Sequence, residues 1–318
     1  MLKVKNAITY RVDALPTLEE LDSALQEHPI VEPGPQEAIR HGWLSPLSGL
    51  QASDGAPASM VVDGHGVWLI AMQTAWRDLP AAIVRRKLQE RVEKIEETEQ
   101  RKVYRRERAQ LKDEVMCDLL PRAFIKQRQV YALIDPGAGL IHVLDGSFSR
   151  AEGLLSLLRL ALGSLKVRLP EVAQAPSVTL SRWLLERTAP EGWSLGHTCT
   201  LREQEDKGTI IIRDQDLLCD EVKAHLETGC RATQLALGWR DRVSLLLGED
   251  LRIRKLQLSQ EYIEQHLDEA PEDQLAALEA DIWLWGNTLR ELHADLMLAL
   301  GAESGGDAAD DGELAQAS

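Results

Sequence analysis

Arg85-Arg86-Lys87, Arg101-Lys102, Arg105-Arg106-Glu107-Arg108, Leu111-Lys112-Asp113-Glu114-Val115 and Leu119-Leu120-Pro121-Arg122-Ala123-Phe124 punctuate one continuous run, residues 85–128, whose reading decides the fold. The run holds 14 Lys and Arg against 9 Asp and Glu, a local charge of +5. The whole chain stands at −15, which leaves −20 for the rest. A basic segment inside an acidic protein sets up a local field that can hold a polyanion while the remaining surface repels it. Ile83, Val84, Leu88, Val92 and Ile95 recur at helical spacing, and Leu111, Val115, Leu119 and Leu120 resume the pattern. Between Glu96 and Gln110 only Val103 and Tyr104 remain apolar. The segment is therefore one long helix or two helices with a solvated turn near 96–100. A helix that is polar all round has no face to pack, so residues 79–120 are predicted to project as an arm.

On the N-terminal side of the arm, residues 3–12 read as a strand. Leu18–Leu25 reads as a short helix, with Thr17 as N-cap and Glu20 as its capping-box partner. Residues 31–58 are rich in Pro, Gly and Ser and read as loop. Met60–Val62 and Val67–Met72 flank Asp63-Gly64-His65-Gly66, a hairpin signal. Asp78-Leu79-Pro80 reads as a helix start, with Asp78 as the capping acid.

On the C-terminal side, Gln129–Ile134 and Leu140–Leu144 predict a second hairpin, and Ser149–Gly163 a leucine-faced helix. After a boundary at 170–176, short helices are expected near 180–188 and 217–228. Strands are expected at 195–203, 208–213, 231–238, 242–247 and 251–258. A last helix at 273–300 carries Leu275, Leu278, Ile282, Trp285, Leu289, Leu292 and Leu296. Residues 301–318 lack large side chains and read as a disordered acidic tail. Hairpins and helices without regular βαβ alternation argue an α+β fold with antiparallel sheets. The domains are read as a discontinuous body (1–78 and 121–170), the arm (79–120) and a base domain (171–300).

The 318 residues suffice for a real core, and hydrophobic residues make up 44 %. No apolar window is long enough to span a bilayer, and the N-terminus lacks the features of a signal peptide, so no membrane partner and a cytoplasmic location are expected. Cys117, Cys199, Cys219 and Cys230 form no C-x-x-C pair and are expected as free thiols. Cys219, His225 and Cys230 could be combined as metal ligands, but their spacing matches no standard zinc pattern. No phosphate-binding loop, G-x-S-x-G or H-E-x-x-H is present, and no cofactor is implied. The basic run has a plain reading as a solvated helix face with i,i+4 pairs such as Glu97 and Arg101. Against it stands Pro121-Arg122-Ala123-Phe124-Ile125-Lys126-Gln127-Arg128, where basic residues alternate with apolar ones at a helix end. That pattern suits a surface meeting a partner and a phosphate backbone together. Arg101, Lys102, Arg105, Arg106, Arg122, Lys126 and Arg128 are the candidate contacts to such a phosphate backbone.

The stretch from Leu111 to Val115 followed by Leu119–Phe124 resembles the signature of the recombination-associated protein RdgC family. The resemblance continues through Lys5-Asn6, Tyr10-Arg11, Gly42-Trp43 with Pro46, Gly139-Leu140-Ile141, Ala151-Glu152, Leu157-Leu158-Arg159, Leu162-Gly163-Ser164-Leu165, and Leu235-Ala236-Leu237 with Trp239. It spans about residues 1–300. It implies a non-enzymatic, nucleoid-associated DNA-binding protein that forms a ring-shaped homodimer around duplex DNA. Such a protein binds without sequence preference, with single-stranded DNA as a further partner, and competes with the RecA recombinase. By this resemblance Phe124 sits at a dimer contact and Arg122 lines the hole. Leu120, and Leu289 and Leu292 on the last helix, are further interface candidates. The family's pair of lysines before Gln-Asp-Leu corresponds to Arg213 and Asp214 before Gln215-Asp216-Leu217, so one charge is kept and one reversed. Arg213 joins the DNA candidates on that basis. Two other classes stay open on sequence: a metal-dependent nuclease with dispersed carboxylates, and a protein–protein adaptor with an acidic partner. Phe124 as an ordinary core residue is the plain alternative to an interface.

Overall fold

The computed structural model describes residues 2–48, 59–203, 208–266 and 273–301. The architecture is α+β. The N-terminal half runs β1 (Asn6–Val12), α1 (Leu18–Gln26), β2 (Ile39–Leu44), β3 (Val61–Asp63) and β4 (Trp68–Asp78). Then come the arm helices α2 (Ala81–Glu99) and α3 (Arg105–Leu119), a single 3-10 turn (Leu120–Arg122), β5 (Phe124–Asp135), β6 (Leu140–Val143) and α4 (Phe148–Leu162). After β7 (Val167–Arg168), the second half runs α5 (Pro176–Leu185), β8 (Trp193–Arg202), β9 (Thr209–Ile212) and α6 (Asp220–Glu227). It closes with β10 (Arg231–Trp239), β11 (Val243–Gly248), β12 (Ile253–Leu258), α7 (Gln260–His266) and α8 (Gln274–Ala299).

The twelve strands form one sheet in the order β2-β4-β5-β6-β1-β12-β11-β10-β8-β9, with β3 on β4 and β7 on β1. The named strand pairs are all antiparallel, and β1 joins the two halves by pairing with both β6 and β12. Alternation along the strands fills both faces. On β5, Val130, Ala132 and Ile134 enter a cluster with Leu21, Leu25, Leu154, Leu155 and Leu158 of α1 and α4. Leu133 enters the opposite cluster with Ile282, Trp285, Leu289, Leu292 and Leu296 of α8. Helices thus cover the N-terminal sheet on both sides, and that is why these strands are apolar on both faces.

The capping box expected at Thr17 is present: the Glu20 amide donates to Thr17 Oγ1 at 3.3 Å and the Thr17 amide to Glu20 Oε2 at 2.9 Å. The Asp63–Gly66 hairpin turn is also present, and Gly64 has a second reason to be there. A Cβ at this position would lie 2.5 Å from Ile282 Cγ2, so only glycine lets the turn pack under α8.

Three expectations are corrected. Residues 39–44, read as loop, form β2, whose six residues pair with β4 from Ile39↔Trp76 to Leu44↔Ala71. Asp78 does not cap a helix. It is the last residue of β4, paired with Phe124, and Pro80 stands at the N-cap of α2 with no side-chain cap. Leu289 and Leu292 are 1 % and 0 % exposed within the chain's own core, so their side chains have no surface to offer a second copy. Leu120 is likewise buried, at the base of the arm. The tail expected to be disordered lies, beyond Gly301, outside the described residues, as do residues 49–58 of the early loop.

The arm consists of two helices, with Gln100 at the end of α2 in the left-handed region (φ 51°). Its own core is small: Leu88, Val92 and Leu111, with Ile95 and Val103 against them. So little apolar burial places the arm at the low-stability end of the molecule.

Candidate nucleic-acid interface

The arm is an insertion between β4 and β5, and those two strands decide what stands at its root. They pair without a break over eleven positions, from Trp68↔Ile134 to Asp78↔Phe124. The inner end of this ribbon lies in the core. The outer end runs on past it, so residues 124–129 of β5 are exposed or half-buried. Side chains directly opposite on antiparallel strands share a face, and residues two apart on a strand share it too. One face of the outer ribbon therefore carries Phe124, Lys126 and Arg128 from β5 and Asp78, Trp76 and Thr74 from β4. Ile39 and His41 from β2 complete it.

Phe124 is 86 % exposed, which removes the reading of it as core. Lys126 Nζ lies 2.7 Å from an Asp78 carboxylate oxygen, with the lysine exposed and the acid half-buried. Such a pair contributes little, and water or a phosphate can replace it. The Arg128 guanidinium lies 5.8 Å from the Trp76 ring centroid, a spacing at which the ring quadrupole attracts the cation. His41 Nδ1 and Thr74 Oγ1 are 2.9 Å apart. Arg122, on the 3-10 turn beside this face, is exposed and has no ion pair among the described residues.

Arg77, on the opposite face of β4, holds the root of the arm. Its Nη1 donates to the carbonyls of Leu120, Pro121 and Ala123 at 3.3, 3.4 and 3.4 Å. Nη2 donates to Pro33 O at 3.0 Å and Nε to Gly34 O at 3.1 Å. One guanidinium thus ties the early loop, β4 and the Leu-Pro-Arg-Ala turn together, which a planar fork of five N–H donors can do and an ammonium cannot.

At the arm tip the cations divide. Arg101 is engaged by Glu107 through two hydrogen bonds of 2.7 and 2.6 Å and by Glu99 at 2.6 Å. Those bonds, Glu107 foremost, raise its pKa above the usual guanidinium value. Its charge is spent on closing the helical hairpin, so it is a poor candidate for holding a phosphate. Lys102, Arg105 and Arg106 are exposed with no ion pair among the described residues, next to Tyr104 at 75 % exposure. Arg213 is exposed too, but it follows β9 at the far edge of the sheet. Seven strand steps separate β9 from β5, roughly 34 Å along the sheet at the usual strand spacing. The candidate residues therefore form an arm tip, an arm root and a distant Arg213, and not one patch.

Trp76, Arg77, Ile39 and His41 were not singled out from sequence. Their role depends on the β2–β4–β5 register, and the only local trace was the polar turn of β4 at Arg77-Asp78. The described residues contain no grouping of three or more His, Cys, Asp or Glu able to hold a metal ion, and no helix long and apolar enough to cross a membrane. Burial pushes the Cys199 thiol up to about 11, and all four cysteines are free.

A family model described as "Putative exonuclease, RdgC" matches residues 2–303. Curated relatives named "Recombination-associated protein RdgC" are similar over nearly the full length. The protein of Pseudomonas aeruginosa strain LESB58 is 37 % identical over 302 residues, covering 94 % of this chain and 97 % of the relative. The Tolumonas auensis protein is 36 % identical over 287 residues, covering 90 % and 93 %. The Pseudomonas entomophila protein is 37 % identical over 302 residues.

Proposed function

This chain belongs to the RdgC family of recombination-associated proteins, and from that premise we propose that it binds DNA without sequence preference, as a ring-shaped homodimer around the duplex. In this reading it has no catalytic activity of its own. It acts in the nucleoid by restraining access of a RecA-type recombinase to duplex and single-stranded DNA. The observation that carries the proposal is the outer β2–β4–β5 face. There an exposed phenylalanine, a tryptophan, a lysine and an arginine stand together at the root of a cationic arm, in a chain of net charge −15. Phosphate contacts supply sequence-independent affinity, and an acidic exterior disfavours side-on binding. Phe124 is the interface residue of this reading because it is large, apolar and uncovered in the single chain. Two-fold closure requires such a self-complementary patch.

The test is a mobility-shift series on unrelated duplexes at about 50 mM salt, where phosphate contacts are strongest, followed by recombinase loading on the same DNA. Equal affinity for all sequences, with loading slowed in proportion to occupancy, is expected. Failure to bind DNA would overturn the reading and favour a protein–protein adaptor. The description of the family model as an exonuclease motivates a second reading, a metal-dependent nuclease. Loss of nucleotides from linear DNA with magnesium or manganese would establish it and displace the non-catalytic one.

A further inference from the structure

Far from the arm, at the β9 edge of the sheet, a cavity of about 530 Å³ is lined by Ser177, Arg202, Glu203, Thr209, Arg231, Thr233 and Glu249. The register across three strands builds it. Arg231 of β10 stands directly opposite Arg202 of β8, and Arg202 stands directly opposite Thr209 of β9. Two like charges directly opposite on antiparallel strands repel, so a row of this kind costs stability unless an anion lies between them.

Among the described residues, the acids nearby do not supply it. Glu249 Oε1 approaches Arg202 Nη1 only to 3.8 Å, with both side chains about half exposed. Glu203 Oε2 lies 3.0 Å from the place a Cβ on Gly208 would take. Arg231 has no ion pair among the described residues, and its Nε is buried without a hydrogen-bond partner. Arg231 is half-buried, and a buried N–H without a partner costs free energy that a bound acceptor would recover. Ser177, in the first turn of α5, and Thr209, both hydroxyl-bearing residues, line the same space. Thr233 does not compete, because its hydroxyl already donates to Thr200 O at 3.2 Å.

We propose that this cavity binds a phosphate group, either free inorganic phosphate or the terminal phosphate of a nucleic-acid strand. A carboxylate is satisfied by one guanidinium fork. A phosphate presents oxygens enough for two forks and two hydroxyls, which is the set of donors assembled here. The volume is that of a small-ligand site and leaves room for a sugar and base behind the phosphate. The site is independent of the arm-root face, so it can stand or fall without the DNA reading.

The experiment is a calorimetric titration of the full chain with inorganic phosphate, against chloride at equal ionic strength. Saturable one-to-one binding is expected. Arg231→Gln and Arg202→Gln should each weaken it at least tenfold, and Arg168→Gln, at an exposed arginine of β7 outside both sites, should leave it unchanged. Arg202 is half exposed, so its variant reports on the site even if Arg231→Gln fails to fold. A second arm compares oligonucleotides with a 5′-phosphate and a 5′-hydroxyl. Discrimination that is lost in Arg202→Gln assigns the site to a strand end. Binding of inorganic phosphate without that discrimination assigns it to the free ion. Absence of saturable binding in both arms, or binding that neither arginine variant weakens, overturns the proposal.

Discussion

Arg77 Nη1 donates to the carbonyl of Leu120 at 3.3 Å, joining the end of β4 to the turn by which the arm returns to the sheet. The same guanidinium reaches Pro121 and Ala123, so the backbone just before Phe124 is set by a residue 43 to 46 positions away. The placement of the exposed Phe124 follows from this anchor as much as from its own strand.

Arg77→Met should therefore loosen the arm root while the sheet persists. Several charge-assisted hydrogen bonds are lost and their carbonyls must find water, so a cost of about 1–3 kcal/mol is expected. Amide exchange should quicken at residues 119–125 and stay unchanged on β1 and β6. Uniform quickening across the sheet would show that Arg77 acts on the whole fold instead.

Phe124→Ala should leave thermal stability within about 0.5 kcal/mol of the parent, because the side chain is exposed and touches no core cluster. If Phe124 closes a two-fold contact, dilution should dissociate the variant at higher concentration than the parent in sedimentation experiments. Identical association curves would remove Phe124 from the interface.

Leu292→Ala should behave in the opposite way. The residue sits on the buried face of α8, packed in the core beneath the sheet, and truncation should cost about 2–5 kcal/mol of folding stability. A stable chain with only its association altered would contradict the assignment of this position to the core.

A pH dependence follows from two histidines at the sheet–α8 junction. His142 is fully buried, with its Nδ1 2.9 Å from Thr9 Oγ1, and its ring centroid lies 6.4 Å from that of His293. Burial, then His293 and Arg290, lower the His142 pKa to about 3. Burial, then Arg11, lower that of His293 to about 4. Both values lie below the ordinary 6.5, so as pH falls below 6.5 the unfolded chain takes up protons that the folded chain refuses. Stability should fall from pH 6.5 down to about 4 for His293 and about 3 for His142, by roughly 1 kcal/mol per pH unit per group. Urea unfolding of His293→Gln should show a shallower decline in that window. A decline as steep as the parent's would place the acid sensitivity elsewhere.

The elements with local signatures were legible in the sequence. Thr17 and Glu20 announce their capping box within four residues, Asp63-Gly64 announces its turn, and the leucines of α8 repeat at helical spacing. The two helices of the arm were legible because their apolar residues recur at helical spacing on either side of a polar stretch. What failed was whatever depends on distant strands. Ile39–Leu44 pairs with a strand some thirty residues away, so its Gly and Trp looked like loop. Asp78 looked like a cap because Pro80 follows it, although its partner Phe124 lies beyond the whole arm. Leu289 and Leu292 were read as interface candidates because a two-fold ring needs a second self-complementary patch and the last helix is rich in leucine. That richness is explained by a helix buried beneath strands of both halves of the chain. Of the candidate site, the cations were visible by composition. Which of them are free was not, since Arg101 and Lys102 are neighbours and only Arg101 is engaged by Glu99 and Glu107.

The most direct test of DNA binding at the arm root is the slope of log affinity against log salt for duplex DNA, in the parent and in Arg122→Glu with Arg128→Glu. Each phosphate contact contributes about 0.9 to that slope. Loss of both contacts should flatten it by roughly two units, with affinity falling equally on unrelated sequences. An unchanged slope, or a loss confined to one sequence, would contradict it.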